Sequence, residues 1–215
     1  MARKARKAAA EATEGGPRGA REDIDRKIID RTLELAATRG WTRTTLGDVA
    51  RASGVSLASL YERFPSKTAI VRALLARIDA EVLSAKISSD EPIRDRLFDL
   101  VMRRFDALGP HKAGVRAIVA DACRDPALAL CVGPRSLRSI AWMGEAAGVG
   151  MSGPLGLLRI KLLAAAYCYV LRVWLGDESA DGAATMAALD RVLKRLEMLE
   201  NSMPWAKRPE ASPAG

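Results

Sequence analysis

Two short apolar-periodic runs joined by Ser53-Gly54-Val55 constrain this chain more than any other feature of its sequence. The first opens at Thr45, whose hydroxyl can cap backbone N–H groups, and Asp48, three residues on, completes a relative of the capping box. This run ends near Ala52. Gly54 supplies the positive φ of a tight turn, and Ser56 is the next N-cap, opening a helix over 57–63. Leu46, Val49, Leu60 and Phe64 share one face across the turn and are expected in the core. Two short helices joined by a glycine turn make a helix-turn-helix. Leu57, Ala58 and Ser59 then sit at the exposed front of its second helix, where side chains reach base edges in a major groove; Leu57 can touch a thymine methyl.

The rest of the chain reads as more helix. A first helix is expected over 22–39, with Ile24, Ile28 and Leu33 at helical spacing and Gly40 as its stop. Pro65 ends the helix of the motif, and Ser66 caps a fourth running through Ile70, Leu74, Ile78 and Leu83, long enough to bridge two layers. Further helices are expected at 92–108, 112–123, 126–147, 154–175 and 182–200, punctuated by Gly and Pro. Aromatic residues are only 5% of the 215, which starves a β-sandwich and suits close-packed helices, so the fold class is all-α. The expected division is a disordered basic arm at 1–21, a helix-turn-helix domain at 22–67, a helical domain at 68–200 and a flexible tail at 201–215.

Charge points in the same direction as the motif. Residues 1–67 carry 14 Lys+Arg against 9 Asp+Glu, most of the formal net excess of +8. A basic N-terminal third on a helical protein suits a phosphate-backbone binder, since each neutralised phosphate releases counterions. Enzyme readings find little support. One histidine, His111, removes most acid–base and triad schemes, and the sequence has no Gly-rich phosphate loop. Cys123, Cys131 and Cys168 form no C-x-x-C pair, so no metal or cofactor is expected and reduced thiols in a cytoplasmic protein are. No signal peptide core follows the basic N-terminus, and the most apolar stretch, 155–175, carries Arg159, Lys161 and Arg172, against membrane insertion.

Residues 28–74 resemble the N-terminal domain of TetR-family bacterial transcription regulators. The specific part is Ala50-x-x-Ser53-Gly54-Val55-Ser56 followed by Leu60-Tyr61-x-x-Phe64-Pro65-x-Lys67. The resemblance implies an all-helical homodimer that binds a palindromic double-stranded DNA operator, with a C-terminal domain that senses a small molecule and joins the two copies. It also implies that Thr45, Ser56, Tyr61 and Lys67 contact phosphates. Many relatives carry Gly where Ala58 stands and a polar or basic residue where Leu57 stands, so operator choice here is expected to lean on DNA shape.

In the C-terminal part, Leu155, Leu158, Leu162, Ala166, Tyr169 and Val173 share one helix face, with Leu157, Ile160, Ala164, Leu171 and Trp174 roughly opposite. A helix apolar on two sides needs covering on two sides, by its own domain and by a partner subunit. In the last helix Met186, Leu189, Leu193 and Leu196 form the inward stripe. The segment 173–191 also resembles the end of a TetR-fold lipid-binding family of ubiquinone biosynthesis, which implies an apolar ligand and, as a second reading, a lipid- or isoprenoid-binding accessory protein that does not bind DNA. Ser179 and Asp181 are alternatively caps of the last helix. Phe98, Met102, Phe105, Trp142 and Met143 are the candidate lining of a small apolar effector's pocket.

Overall fold

The computed structural model describes residues 17–124 and 126–202, and every regular element among them is a helix. In chain order they are Pro17–Arg39 (α1), Leu46–Ser53 (α2), Leu57–Arg63 (α3), Lys67–Ser84 (α4), Ile93–Leu108 (α5), Lys112–Ala122 (α6), Pro126–Ala146 (α7), Gly153–Gly176 (α8) and Ala183–Ser202 (α9). A single 3-10 turn, Gly109–His111, precedes α6. Most ends fall within two residues of the sequence expectation because Gly, Pro and Ser act locally. Helix α1 is the exception. It starts at Pro17, inside the stretch expected to be a disordered arm, since proline has the right φ for a first helical residue and no N–H to leave unpaired. Residues 1–16 and 203–215, the remainder of the arm and most of the tail, lie outside the described residues.

The chain divides into two compact units. One takes the chain up to Arg77 together with His111–Gly133; the other takes Ile78–Pro110 together with the chain from Pro134. The first is therefore larger than the expected 22–67 domain, because α6 packs on α1. Gly114 makes this possible, since a Cβ there would lie 2.6 Å from the Leu33 carbonyl oxygen. The core of this unit holds Ile28, Leu33 and Ala36 of α1 with Val49, Leu60, Phe64, Ile70, Val115 and Ile118. A second tie is the Asp121 carboxylate of α6, which accepts from the Thr42 backbone N–H at 2.8 Å and hydroxyl at 2.7 Å. His111 does not cap α6 through its side chain; its Nε2 lies 3.3 Å from the Arg77 guanidinium and 3.4 Å from Asp30.

In the second unit, Leu100, Phe105, Ile140, Met143, Val170, Trp174, Ala188 and Leu189 are buried. Phe105 is stacked between Tyr167 and Trp174, at 5.5 and 5.2 Å between centroids. The inward stripe of α8 is Gly156, Ala166, Val170 and Trp174. It runs between the two stripes expected from the wheel, and at its start Gly156 sits against the Met151 backbone, where any Cβ would clash. Leu155, Leu157, Leu158 and Tyr169 are left exposed in the single chain, Leu157 by 62%. By length and composition α8 could cross a membrane, with mean hydropathy 1.5, but Lys161 and Arg172 interrupt it. Its Arg159 donates to the Gly150 carbonyl and pairs with Glu200 of α9. The α8–α9 connection is held by Asp177, which accepts from the backbone N–H and hydroxyl of both Ser179 and Thr185. Ser179 and Asp181 both accept from the Ala183 N–H, so they cap α9.

Gly114→Ala should lower stability by about 1–3 kcal/mol, the usual cost of forcing atoms into a packed contact. The loss would be read as a fall in the thermal midpoint, and an unchanged midpoint would mean that α6 does not rest on α1 through this glycine.

Candidate nucleic-acid interface

A seven-residue helix has too few hydrogen bonds to persist alone, so α3 depends on what surrounds it. Its N-terminus is capped by Ser56, whose Oγ accepts from the Ser59 N–H at 3.1 Å. Its rear is Leu60, wholly buried, and Phe64, whose N–H closes the last turn onto the Leu60 carbonyl at 2.7 Å. The turn before it is Gly54, in the left-handed region at φ 71° as the motif requires, with Val55 N–H donating to the Ala50 carbonyl.

Helix α2 carries the full capping box. Thr45 Oγ1 accepts from the Asp48 N–H at 3.1 Å, and Asp48 Oδ2 accepts from the Thr45 N–H and hydroxyl at 3.2 and 2.7 Å. These hydrogen bonds from Thr45, with that from Arg51, hold the Asp48 carboxyl below the usual carboxylate range. Arg39 also lies 3.5 Å from Asp48.

With the rear buried, the front of α3 is open. Leu57 and Ala58 are exposed, Ser59 is half-buried, and Tyr61 is 66% exposed with its hydroxyl unpartnered among the described residues. Thr45 and Ser56 are exposed but already engaged as caps. Lys67 is the one predicted residue whose surroundings differ from an open flank. It is half-buried, its Nζ donates to the Trp41 carbonyl at 2.8 Å and lies 4.7 Å over the Trp41 ring. Burial pushes the ammonium down, opposed by Asp121. An ammonium has three donors, so two remain after the Trp41 bond.

Sequence reasoning missed Trp41 as the anchor of Lys67. It also missed Arg63, which reaches back to Asp25 of α1 at 2.6 Å and so ties the end of α3 down. Neither partner is near in sequence, and no motif marks them. Arg43 and Arg51 add exposed positive charge beside Thr45.

The candidate effector residues do not form a site in this structure. Phe105 is consumed in the aromatic stack, Trp142 is exposed, and Phe98 and Met102 are half-buried. Only Met143 lines the apolar cavity of the second unit, which is about 20 Å3, room for about one water. Its other walls include Leu97, Val101, Ile140, Leu163 and Tyr167. Among the described residues no group of three or more His, Cys, Asp or Glu side chains is placed to hold a metal, and the three cysteines form no disulfide and are exposed.

Comparison with known proteins places the motif. Residues 28–74 match the family described as bacterial regulatory proteins, tetR family. The chain is 32% identical over 105 residues to an uncharacterized HTH-type transcriptional regulator of Mycobacterium tuberculosis, covering 47% of this chain and 50% of that one. It is 35% identical over 75 residues to the nucleoid occlusion factor SlmA of Haemophilus influenzae, covering 34% of each. The chain thus spans half or less of the length of these curated relatives. Over a larger span the fold is that of a TetR transcriptional regulator from Nitrosomonas europaea, with TM-score 0.69 and 24% identity, covering 82% of this chain and 99% of that one. Salmonella enterica GusR is similar at TM-score 0.58 and 21% identity, covering 81% and 95%.

A depressed Asp48 pKa adds stability that is fully present above the unfolded carboxylate value, about pH 4, and is lost as pH falls through the lower folded value. Asp48→Asn should therefore melt below the wild type at pH 7, with the gap closing in the acid range. Circular-dichroism melts across pH check this, and a gap independent of pH would contradict it.

Proposed function

We propose that this chain, whose residues 28–74 match the tetR family of bacterial regulatory proteins, is a homodimeric repressor that binds a palindromic operator in double-stranded DNA and is released by a small-molecule effector. The observation that carries this reading is the division of α3 into a fully buried rear at Leu60 and an open front at Leu57, Ala58 and Tyr61. A rigid, capped helix with a free front can enter a major groove without unpacking the protein.

Each front residue then has a role suited to its chemistry. Leu57 meets a thymine methyl, the small Ala58 lets the helix approach closely, and Ser59 hydrogen-bonds a base edge. The Tyr61 and Ser56 hydroxyls and the remaining Lys67 donors contact phosphates and set the register of the helix on the duplex, and Thr45 joins them by turning its hydroxyl from Asp48 to a phosphate. With Ser59 as the one hydroxyl directed to a base edge and no amide or guanidinium on the α3 front, selectivity comes chiefly from DNA shape.

The homodimer rests on α8 and α9. Leu157 and Tyr169 of α8 with Met198 and Leu199 of α9 are exposed apolar surface in the single chain. A second copy covering the same face would remove it from water by two-fold pairing. Against the reading as a lipid-binding accessory protein, Ser179 and Asp181 in the segment that resembles that family are accounted for as caps of α9.

Fluorescence anisotropy on the DNA upstream of the protein's own gene tests the reading. Affinity should fall steeply with salt, with a log–log slope of about −0.9 per phosphate neutralised. Tyr61→Ala should weaken binding by about tenfold or more, with an unchanged melting curve because the ring is exposed. Absence of measurable binding at low salt would remove the claim. The dimer is tested separately by sedimentation: wild type should run as a dimer and Leu157→Glu as a monomer, whereas a monomeric wild type would refute the two-fold pairing.

A further inference from the structure

The second unit contains a buried cluster in which positive charge exceeds negative. Asp79 of α4 accepts from Arg104 of α5 at 2.5 Å, and from Arg135 and Ser139 of α7 at 2.7 and 2.6 Å. Arg104 is 2% exposed, and among the described residues Asp79 is the only carboxylate bonded to either arginine. Two guanidiniums therefore share one carboxylate. One positive charge is left over, and it falls on the pair of Arg104, which is buried, and Arg135, whose side chain is 24% exposed. The Arg135 Nε–H, also buried, has no acceptor. Buried unpaired donors are rare enough that each calls for a physical reason.

This cluster joins the apolar cavity through one residue. Arg104 Nε donates to the Tyr167 hydroxyl at 3.1 Å, while Tyr167 also forms part of the cavity wall. Burial pushes the Tyr167 phenol up, so it stays neutral and supplies no balancing negative charge. The wall also includes Met143, Ile140, Leu163 and Leu97. Met143 is the adaptable member, an unbranched thioether chain that can move aside to enlarge a space now of about 20 Å3.

From an excess guanidinium charge with one buried open donor next to an expandable apolar cavity, we infer that this unit binds an amphiphile carrying one carboxylate. The carboxylate takes the surplus charge of Arg104 and Arg135, with Arg135 Nε–H as the open donor, and the aliphatic body displaces Met143. A carboxylate matches the planar fork of a guanidinium better than other small anions of single charge. The inference deepens the reading of the protein as an effector-responsive regulator by giving the effector's chemical class. Its ligand-binding part stands or falls without DNA.

Isothermal titration calorimetry of the full chain with decanoate and with 1-decanol distinguishes the outcomes. Decanoate should bind, and 1-decanol, with the same tail and no charge, should bind about tenfold or more weakly. Arg135→Gln should weaken decanoate by a similar factor while leaving 1-decanol unchanged. Met143→Phe, which fills the cavity without touching the arginines, should weaken both and serves if Arg135→Gln does not fold. Equal binding of the two probes, decanoate affinity unaffected by both variants, or no binding of decanoate would each overturn the inference. Anisotropy on operator DNA is a separate readout, so loss of DNA binding would count against the proposed function and not against the carboxylate site.

Discussion

Burial of Leu60 behind α3 is the contact on which the open front of the helix-turn-helix depends. A helix of seven residues does not persist in water through its own hydrogen bonds. What stabilises α3 is its wholly buried leucine, the Ser56 cap at one end and the Phe64 closure and Arg63–Asp25 pair at the other. Once the rear and both ends are held, the front has no packing duty. Leu57, Ala58 and Tyr61 are thereby free to be chosen for what they touch outside the chain.

The two units handle polar groups differently. In the first, ion pairs such as Arg39–Asp48 and Arg51–Asp48 are peripheral, and surface pairs of this kind contribute little to stability. Their use is orientation: they keep α2 and its cap in place beside the front of α3. In the second unit the polar cluster around Asp79 lies among buried side chains. Burial alone would push the Arg104 guanidinium down, yet its hydrogen bonds to the neutral Tyr167 hydroxyl and the Asp79 carboxylate, with the Asp79 charge, outweigh it and hold Arg104 above its ordinary value. A charge kept on in such surroundings is poorly suited to stability alone and well suited to meeting a charged guest.

Helix α8 has one face covered by its own unit and another open to solvent in the single chain. The same length and composition would serve in a bilayer, but Arg159 is tied to Gly150 and Glu200, and Lys161 and Arg172 lie on the exposed side. A second protein surface tolerates charges at its rim, which a lipid tail region does not.

The sequence by itself determined the helix-turn-helix, the capping residues and nearly all helix ends. Each of these is local: Thr45 with Asp48, Ser56 with Ser59 and the turn at Gly54 involve residues five or fewer apart, and their chemistry does not wait for the rest of the chain. Even the buried Leu60 and Phe64 were legible, because a short amphipathic helix has one apolar side. Only the tertiary structure decided the partners that lie far apart along the chain. Thr42 meets Asp121 across 79 positions, Lys67 reaches Trp41 across 26, and Arg104 reaches Tyr167 across 63. It also decided which stripe of α8 faces inward, since a helix apolar on both sides has no preferred rotation until it packs on its neighbours, here with Ala166, Val170 and Trp174 buried. The expected effector residues scattered for the same reason: periodicity identifies apolar side chains, and only packing decides whether they fill the core or line a space.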